Sequence, residues 1–184
     1  QELQLFFIKQ IEKIEKKFQL FIEDIFLIIE ENSVFSVRFS LKEKIENKVI
    51  SKIEFKNILL SCLQQIYKFN PNQLIIHYLI DKLNVDGHKI ESLDNKIIHN
   101  FLCIDLRFIC IDKERVNKFR SLFKTKQIHL KKVFSGKYLK EFMINDEKII
   151  DLATKINDGF NKFEVELVPK KAEKKGFFER FFLS

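Results

Sequence analysis

The chain of 184 residues has no tryptophan, two prolines and only four glycines, and each shortage removes a class of structure. Gly87, Gly136, Gly159 and Gly176 stand alone, with no GxG or GxxG anywhere. A phosphate-cradling loop brings successive backbone N–H groups onto the anion, and glycines permit that close approach. A nucleotide loop of the usual kind is therefore excluded, and neither ATP nor any other cofactor is expected. Cys62, Cys103 and Cys110 make an odd number with no CxxC pair, and all lie in apolar segments. That pattern favours buried, reduced thiols and a cytoplasmic protein over a disulfide framework. None of the four histidines sits at ligand spacing from a cysteine pair, so no metal site is expected. Also missing is an apolar run near the roughly 18 to 20 residues that cross a bilayer.

What is present indicates a packed domain. Hydrophobic residues make up 46% of the chain, regularly interleaved with polar ones, which is too apolar for a disordered segment. The length allows one sizeable core and at most two small domains. The chain opens on Gln1 rather than Met, so an upstream segment is expected. Net charge is +7, but it is uneven. Residues 1–32 carry four Lys against seven Asp and Glu, whereas 170–184 carry five Lys and Arg against two Glu. A near-neutral body with a basic end is unlike a nucleic-acid stripe, and aromatic strand motifs of the RNA-binding kind are lacking. No nucleic-acid partner is expected.

Periodicity orders the chain. Phe7, Ile11, Ile14, Phe18, Phe21, Ile22, Ile25 and Ile29 recur every three or four residues, predicting one helix over 3–31. Such a helix is about 40 Å long at 1.5 Å per residue, more than a small core covers. It is either a bundle helix of this chain or the seam of a homodimer. "SVFSVRFSL" (33–41) alternates as a strand, with a continued helix as the other reading. "FKNILLSCLQQIYKFNP" (55–71) is helical until Asn70-Pro71 stops it. "QLIIHYLIDKL" (73–83) and "FLCIDLRFICI" (101–111) predict strands, with a turn at Asp86-Gly87 between them. Asp112 caps a helix over 113–123, and a further helix is expected around 136–145. "KIIDLATKI" (148–156) and "KFEVELV" (162–168) predict a hairpin with Asp158-Gly159 near its tip. The sum is an α+β fold: a long N-terminal helix, then an α/β sandwich of one mixed sheet with helices on one face. The divisions are 1–40, a possible dimerisation segment; 41–169, the domain; and 170–184, a basic linker and tail.

His77 and His99 fall in or beside strands and read as packing residues. His88 in a turn and His129 in a basic stretch read as exposed.

This order and the local sequences resemble the catalytic and ATP-binding domain of bacterial sensor histidine kinases, the Bergerat-type (GHKL) ATPase fold. "FKNILLSCLQQIYKFNP" matches the frame of the family's LxxxLxNLLxNAxKFTP helix, including Lys68-Phe69-Asn70-Pro71. "FLCIDLRF" looks like the strand before the family's Asp-Gly motif. "DKERVNKFRSLF" is similar to the segment that follows it, and "NDGFNKFEVELVP" to the terminal hairpin. The resemblance covers residues 16–169 loosely. It places the family's magnesium-holding Asn at Gln65 and an earlier Asn at Ser61, and "FICIDKE" stands where the adenine-reading Asp and its glycines belong. These departures imply that nucleotide binding is lost and that no catalytic residue remains. Residues 1–32 hold no His, so a phospho-acceptor, if one exists, lies upstream. The resemblance therefore implies a degenerate histidine-kinase-like adaptor, or a histidine phosphotransferase, that docks response regulators. The alternative is a scaffold of a membrane-associated assembly.

The tail adds to that alternative. In "KKAEKKGFFERFFLS", Phe177, Phe178, Phe181 and Phe182 share one face of a helix, ringed by Lys174, Lys175 and Arg180. It resembles the C-terminal membrane-targeting helices of cell-division ATPases and actin-like division proteins. That resemblance implies reversible attachment to the inner face of the membrane. Docking on the protein's own surface, or on a partner, is the other reading.

Overall fold

A computed structural model describes residues 2–30, 32–91 and 99–165. The chain is α+β, as its periodicity predicts. Five helices and six strands are described, in the order α1 Glu2–Phe18, β1 Asp24–Ile29, β2 Phe35–Lys48, α2 Lys52–Phe69, β3 Gln73–Val85, β4 His88–Lys89, β5 His99–Asp112, α3 Lys113–Lys124, β6 His129–Ser135, α4 Gly136–Lys140 and α5 Ile149–Asn157.

Strands of both senses occur, but in two sheets rather than one. β2-β5-β3-β4 is antiparallel throughout, and β1-β6 is a separate parallel pair. β5 is the centre. Leu102, Ile104, Leu106, Phe108 and Cys110 alternate onto one face, where α2 lays Leu59, Cys62, Leu63 and Ile66 over them. Ile109 and Ile111 point to the other face. There Ile109 meets α4 and α5 through Tyr138, Leu139, Leu152 and Ile156. Helices thus cover both faces, correcting the one-face arrangement. The reason is that β3 and β5 are apolar on both sides, so each side requires a cover.

The long helix expected over 3–31 ends at Phe18. Gln19 takes a left-handed φ of 53°, and the Glu15 side chain turns back to accept from Ile22 N at 3.0 Å. "DIFLII" then forms β1, because its β-branched run pairs parallel with β6 from Asp24–His129 to Ile29–Ser135. Phe7 and Ile11 of α1 pack on Phe119, Phe123 and Ile128.

α2 begins with a reciprocal capping box. Ser51 Oγ accepts from Glu54 N at 3.2 Å while Ser51 N donates to Glu54 Oε2 at 2.8 Å. Ser51→Ala should lower stability by about 1 kcal/mol, read as a shifted midpoint of chemical denaturation at unchanged slope. Asp112 caps α3 as expected, accepting from Arg115 N at 3.0 Å. The helix expected around 136–145 is a short one, α4, capped by Ser135. Gly136 leaves room there for Glu30, just past the end of β1: an added Cβ would sit 2.5 Å from Glu30 Cγ and force that side chain to move.

The expected hairpin is not formed. Residues 149–157 are α5, with Leu152, Ala153 and Ile156 buried at helical spacing. Asp158-Gly159 ends that helix: Gly159 has φ +85°, Gly159 N donates to Ile156 O, and Phe160 N to Lys155 O. A left-handed glycine suits a helix end and a hairpin tip equally, so the motif alone does not choose. Glu164 instead bridges antiparallel to Leu79 on the free edge of β3, with Ile80 N donating to Phe163 O at 2.9 Å and Val165 N to Tyr78 O at 2.7 Å. Residues 166–168 of that expected strand lie outside the described residues.

Candidate functional site

The densest set of titratable groups lies where the 161–165 segment crosses the edge of β3. β3 carries a bulge between Ile75 and His77, which turns His77 to the α4 face, opposite Ile109. β6 ends at Ser135, whose backbone N donates to His77 Nε2 at 3.1 Å. That bond fixes the tautomer: Nε2 accepts, so Nδ1 carries the proton and donates to Glu164 Oε1 at 2.8 Å. Tyr138 of α4 donates its hydroxyl to Glu164 Oε2 at 2.8 Å and accepts from Asn161 Nδ2 at 2.9 Å. Lys132 Nζ stands 3.9 Å from Glu164 Oε1 and 5.4 Å from the Phe134 ring centre.

The electrostatics follow from burial. The His77 side chain is fully enclosed, which pushes its pKa below the ordinary 6.5 and keeps the ring neutral, despite the hydrogen bond to Glu164 that favours its charge. Burial alone would raise the Glu164 carboxyl. The hydrogen bonds from His77 and Tyr138 and the charge of Lys132 outweigh it, leaving the pKa below the usual carboxylate value. Tyr138 is pushed well above the phenol range by burial.

A His–Glu–Tyr set resembles acid–base machinery, but its geometry argues for a clamp. Both imidazole nitrogens are engaged, and the phenol and both carboxylate oxygens have protein partners. The adjoining Ser135 hydroxyl is buried and caps α4, accepting from Tyr138 N at 3.3 Å. A shallow groove of about 280 Å³ passes its outer side, lined by Tyr67, Lys132, Glu164 and His77, whose side chain is nonetheless fully enclosed. The cluster ties β3, β6, α4 and the 161–165 segment together across the fold.

Ser61 and Gln65 are exposed on the outer side of α2, away from the buried Leu59, Cys62, Leu63 and Ile66. They line none of the three grooves described. His77 is buried as a packing residue, while His88 and His129 are exposed. The side chain of His99 lies outside the described residues, as do Lys174, Lys175, Phe177, Phe178, Arg180, Phe181 and Phe182. Cys62, Cys103 and Cys110 are free thiols, and burial raises Cys110 to about 11, which makes it unreactive at neutral pH. Among the described residues no group of His, Cys, Asp and Glu could hold a metal ion, and no helix is long and apolar enough to cross a membrane.

No protein-family model matches this chain, and no curated protein matches it. Its chemistry therefore rests on its own residues. Sequence reasoning missed Glu164, Tyr138 and Asn161, which join His77 across 87, 61 and 84 positions of separation. The available signal was a histidine at an interior strand position, since a buried imidazole requires polar partners.

Two other features stand apart from this cluster. At the end of α1, Ile14, Phe18, Leu20 and Phe21 are 46%, 61%, 68% and 90% exposed. On the sheet, Arg107 is held by Glu141 through two bonds of 2.7 and 2.9 Å and by Asp81 at 3.1 Å, beside an Arg38 that has no acidic partner among the described residues.

Proposed function

We propose that this chain is a non-enzymatic assembly module of the cytoplasm, which self-associates through the C-terminal half of α1 and presents its remaining surfaces to partners. One observation carries the reading: the apolar seam of α1 is covered for half its length only. Phe7 and Ile11 are roofed by α3, while Ile14 and Phe18 continue the same stripe into solvent, with Leu20 and Phe21 extending it. Clustered exposed apolar side chains of this size mark an interaction surface. The occupant is a second copy. The uncovered stripe is apolar and therefore complements itself across a two-fold axis, and of the charges that flank it Glu12 is held by Lys126 at 2.8 Å and Glu15 accepts from Ile22 N. Light scattering after gel filtration should give twice the chain mass, and Phe18→Glu with Phe21→Glu should give the single mass with an unchanged melting temperature. A single mass for the wild type rejects self-association.

The second reading is the degenerate histidine-kinase-like adaptor that docks response regulators. It is favoured by α2, β3, β5 and α3, which carry the motif-like segments and occur in the expected order. The finer Bergerat-type assignment rests on those segments. The wholly antiparallel order β2-β5-β3-β4 and the outward Ser61 and Gln65 lend it no nucleotide site. Incubation with phosphorylated response regulators tests this reading. Binding in a defined stoichiometry supports it, and the absence of both binding and phosphohistidine ends it. Attachment through residues 174–184 to the inner face of a membrane belongs to the scaffold version. Equal pelleting with anionic liposomes, with and without those residues, would reject it.

A further inference from the structure

The open face of the four-stranded sheet gathers positive charge that is scattered in the sequence. β2 is amphipathic: Val37, Phe39, Leu41 and Ile45 pack toward α2, and Ser36, Arg38, Ser40, Lys42 and Lys44 point to the opposite face. α4 and α5 cover that face only around Ile109 and Leu79. Beyond them the sheet is exposed, and Arg38, Lys42 and Lys44 stand along one strand, alternate residues being about 6.8 Å apart. No described acid pairs with Arg38, Lys42 or Lys82; Lys44 has only an exposed, 3.8 Å contact with Glu46.

Two details argue against a merely solvated surface. Arg38 lies directly opposite Arg107 in the ladder, and although Asp81 and Glu141 compensate Arg107, no described acid bonds Arg38 itself. Of the acids beside them, Asp81 and Glu141 are committed to Arg107, while Asp105 accepts from Ser40 Oγ at 2.7 Å and keeps its charge between Arg38 and Lys42. At the far end Phe101 is 39% exposed beside Lys44, its ring carrying the Lys42 ammonium at 5.0 Å. Two shallow grooves of about 510 and 670 Å³ lie at the ends of this strip, one beside Arg38 and Lys137, the other beside Lys42, Lys44 and Phe101 with Glu46 and Asp86 on its far wall.

We propose that this strip binds single-stranded nucleic acid. A row of cations on one straight strand matches an extended polyanion with regularly spaced charges, and the half-exposed Phe101 supplies a platform on which a base stacks. A flat, open sheet offers neither a helix nor a projecting ribbon to enter a duplex groove, so single strands are preferred. The sequence reading expects no such partner; Arg38, Lys42 and Lys44 share a face of β2 by alternation, but only the register of β2 against β5 sets Phe101 beside them. The strip is separate from the α1 seam, and its occupancy does not depend on self-association.

Fluorescence anisotropy with labelled oligothymidylate and oligouridylate, using the whole chain, tests the proposal. The wild type should bind saturably and release with salt, and Arg38→Glu with Lys42→Glu should weaken binding by more than tenfold. The slope of log affinity against log salt should fall by about 0.7 for each phosphate contact removed. Phe101→Ala should weaken binding about tenfold with the slope unchanged. Lys56→Glu, on the α2 side of the molecule, should change affinity by less than about twofold, since it removes no phosphate contact. Four results would overturn the proposal: no saturable binding, equal loss from Lys56→Glu, equal affinity for duplex DNA, or binding to phosphatidylserine vesicles with none to the oligonucleotides. Circular dichroism melts check that each variant is folded, and Lys42→Gln serves if the double variant is not.

Discussion

Replacing Glu164 by Ala should lower the melting temperature by about 10 °C, although the residue sits on a segment with almost no regular structure. Its carboxylate accepts from His77 and from Tyr138, both at 2.8 Å, and its side chain is only 10% exposed. Bonds to a buried charged group are worth roughly 1.5 to 3 kcal/mol each, and their loss leaves an imidazole N–H and a phenol without acceptors. A net loss of about 3 to 4 kcal/mol corresponds to the stated shift for a chain of this size. Glu164→Gln should recover only part of it, because the amide nitrogen presents a donor to one of two donors.

The same cluster makes stability fall in acid. The folded-state pKa of His77 lies below its ordinary 6.5, so below that pH the unfolded chain takes up a proton that the native ring refuses. Stability is therefore lost as pH falls from about 6.5 toward the folded value. Glu164, also depressed in the fold, contributes stability that is present above 4.5 and is lost as pH falls through its folded value. Both groups act in one direction. The gap between wild type and Glu164→Ala, measured by denaturant midpoints, should be full near pH 7 and shrink as pH falls below 4.5 through the depressed folded-state value of the carboxylate.

Phe108→Ala should cost about 3 to 5 kcal/mol, the largest effect expected of a single core substitution here. Phe108 is fully buried in the central strand, and its ring stacks on Tyr78 with centroids 4.6 Å apart. Tyr78 in turn donates its hydroxyl to Leu59 O of α2 at 2.8 Å, so the cavity would open at the joint between helix and sheet. Calorimetry should report the loss as a fall of roughly 10 °C or more in Tm. A cost below about 1 kcal/mol would mean that α2 settles into the space.

The parts of the fold legible in the sequence are those whose signals are local. α2 has its apolar spacing and its Asn70-Pro71 stop, α3 has Asp112, and β5 alternates over its whole length. Where the deciding contact is remote, local pattern misleads. Ile22, Ile25 and Ile29 suit a helix as well as a strand, and only β6, more than a hundred residues later, makes 24–29 a strand. β6 itself was hidden in a basic stretch, its Lys131 and Lys132 masking the apolar Leu130 and Val133. Asp158-Gly159 serves a helix end or a hairpin tip, and the burial of Leu152 and Ile156 decides for the helix. The site divides in the same way. A buried His77 could be foreseen from its place in an apolar strand. Its partners Glu164 and Tyr138 could not, because the bulge that aims the ring and the turn that returns Glu164 to β3 are both tertiary.

An assembly module requires that its open seam be closed in solution. Hydrogen exchange followed by mass spectrometry over a dilution series tests that most directly, because it reports the contact and its position together. The account predicts that amides of residues 12–21 are protected when the protein is concentrated and lose that protection on dilution, while those of β5 and α3 do not change. Exchange in 12–21 that is fast at every concentration, in a folded chain, would contradict it.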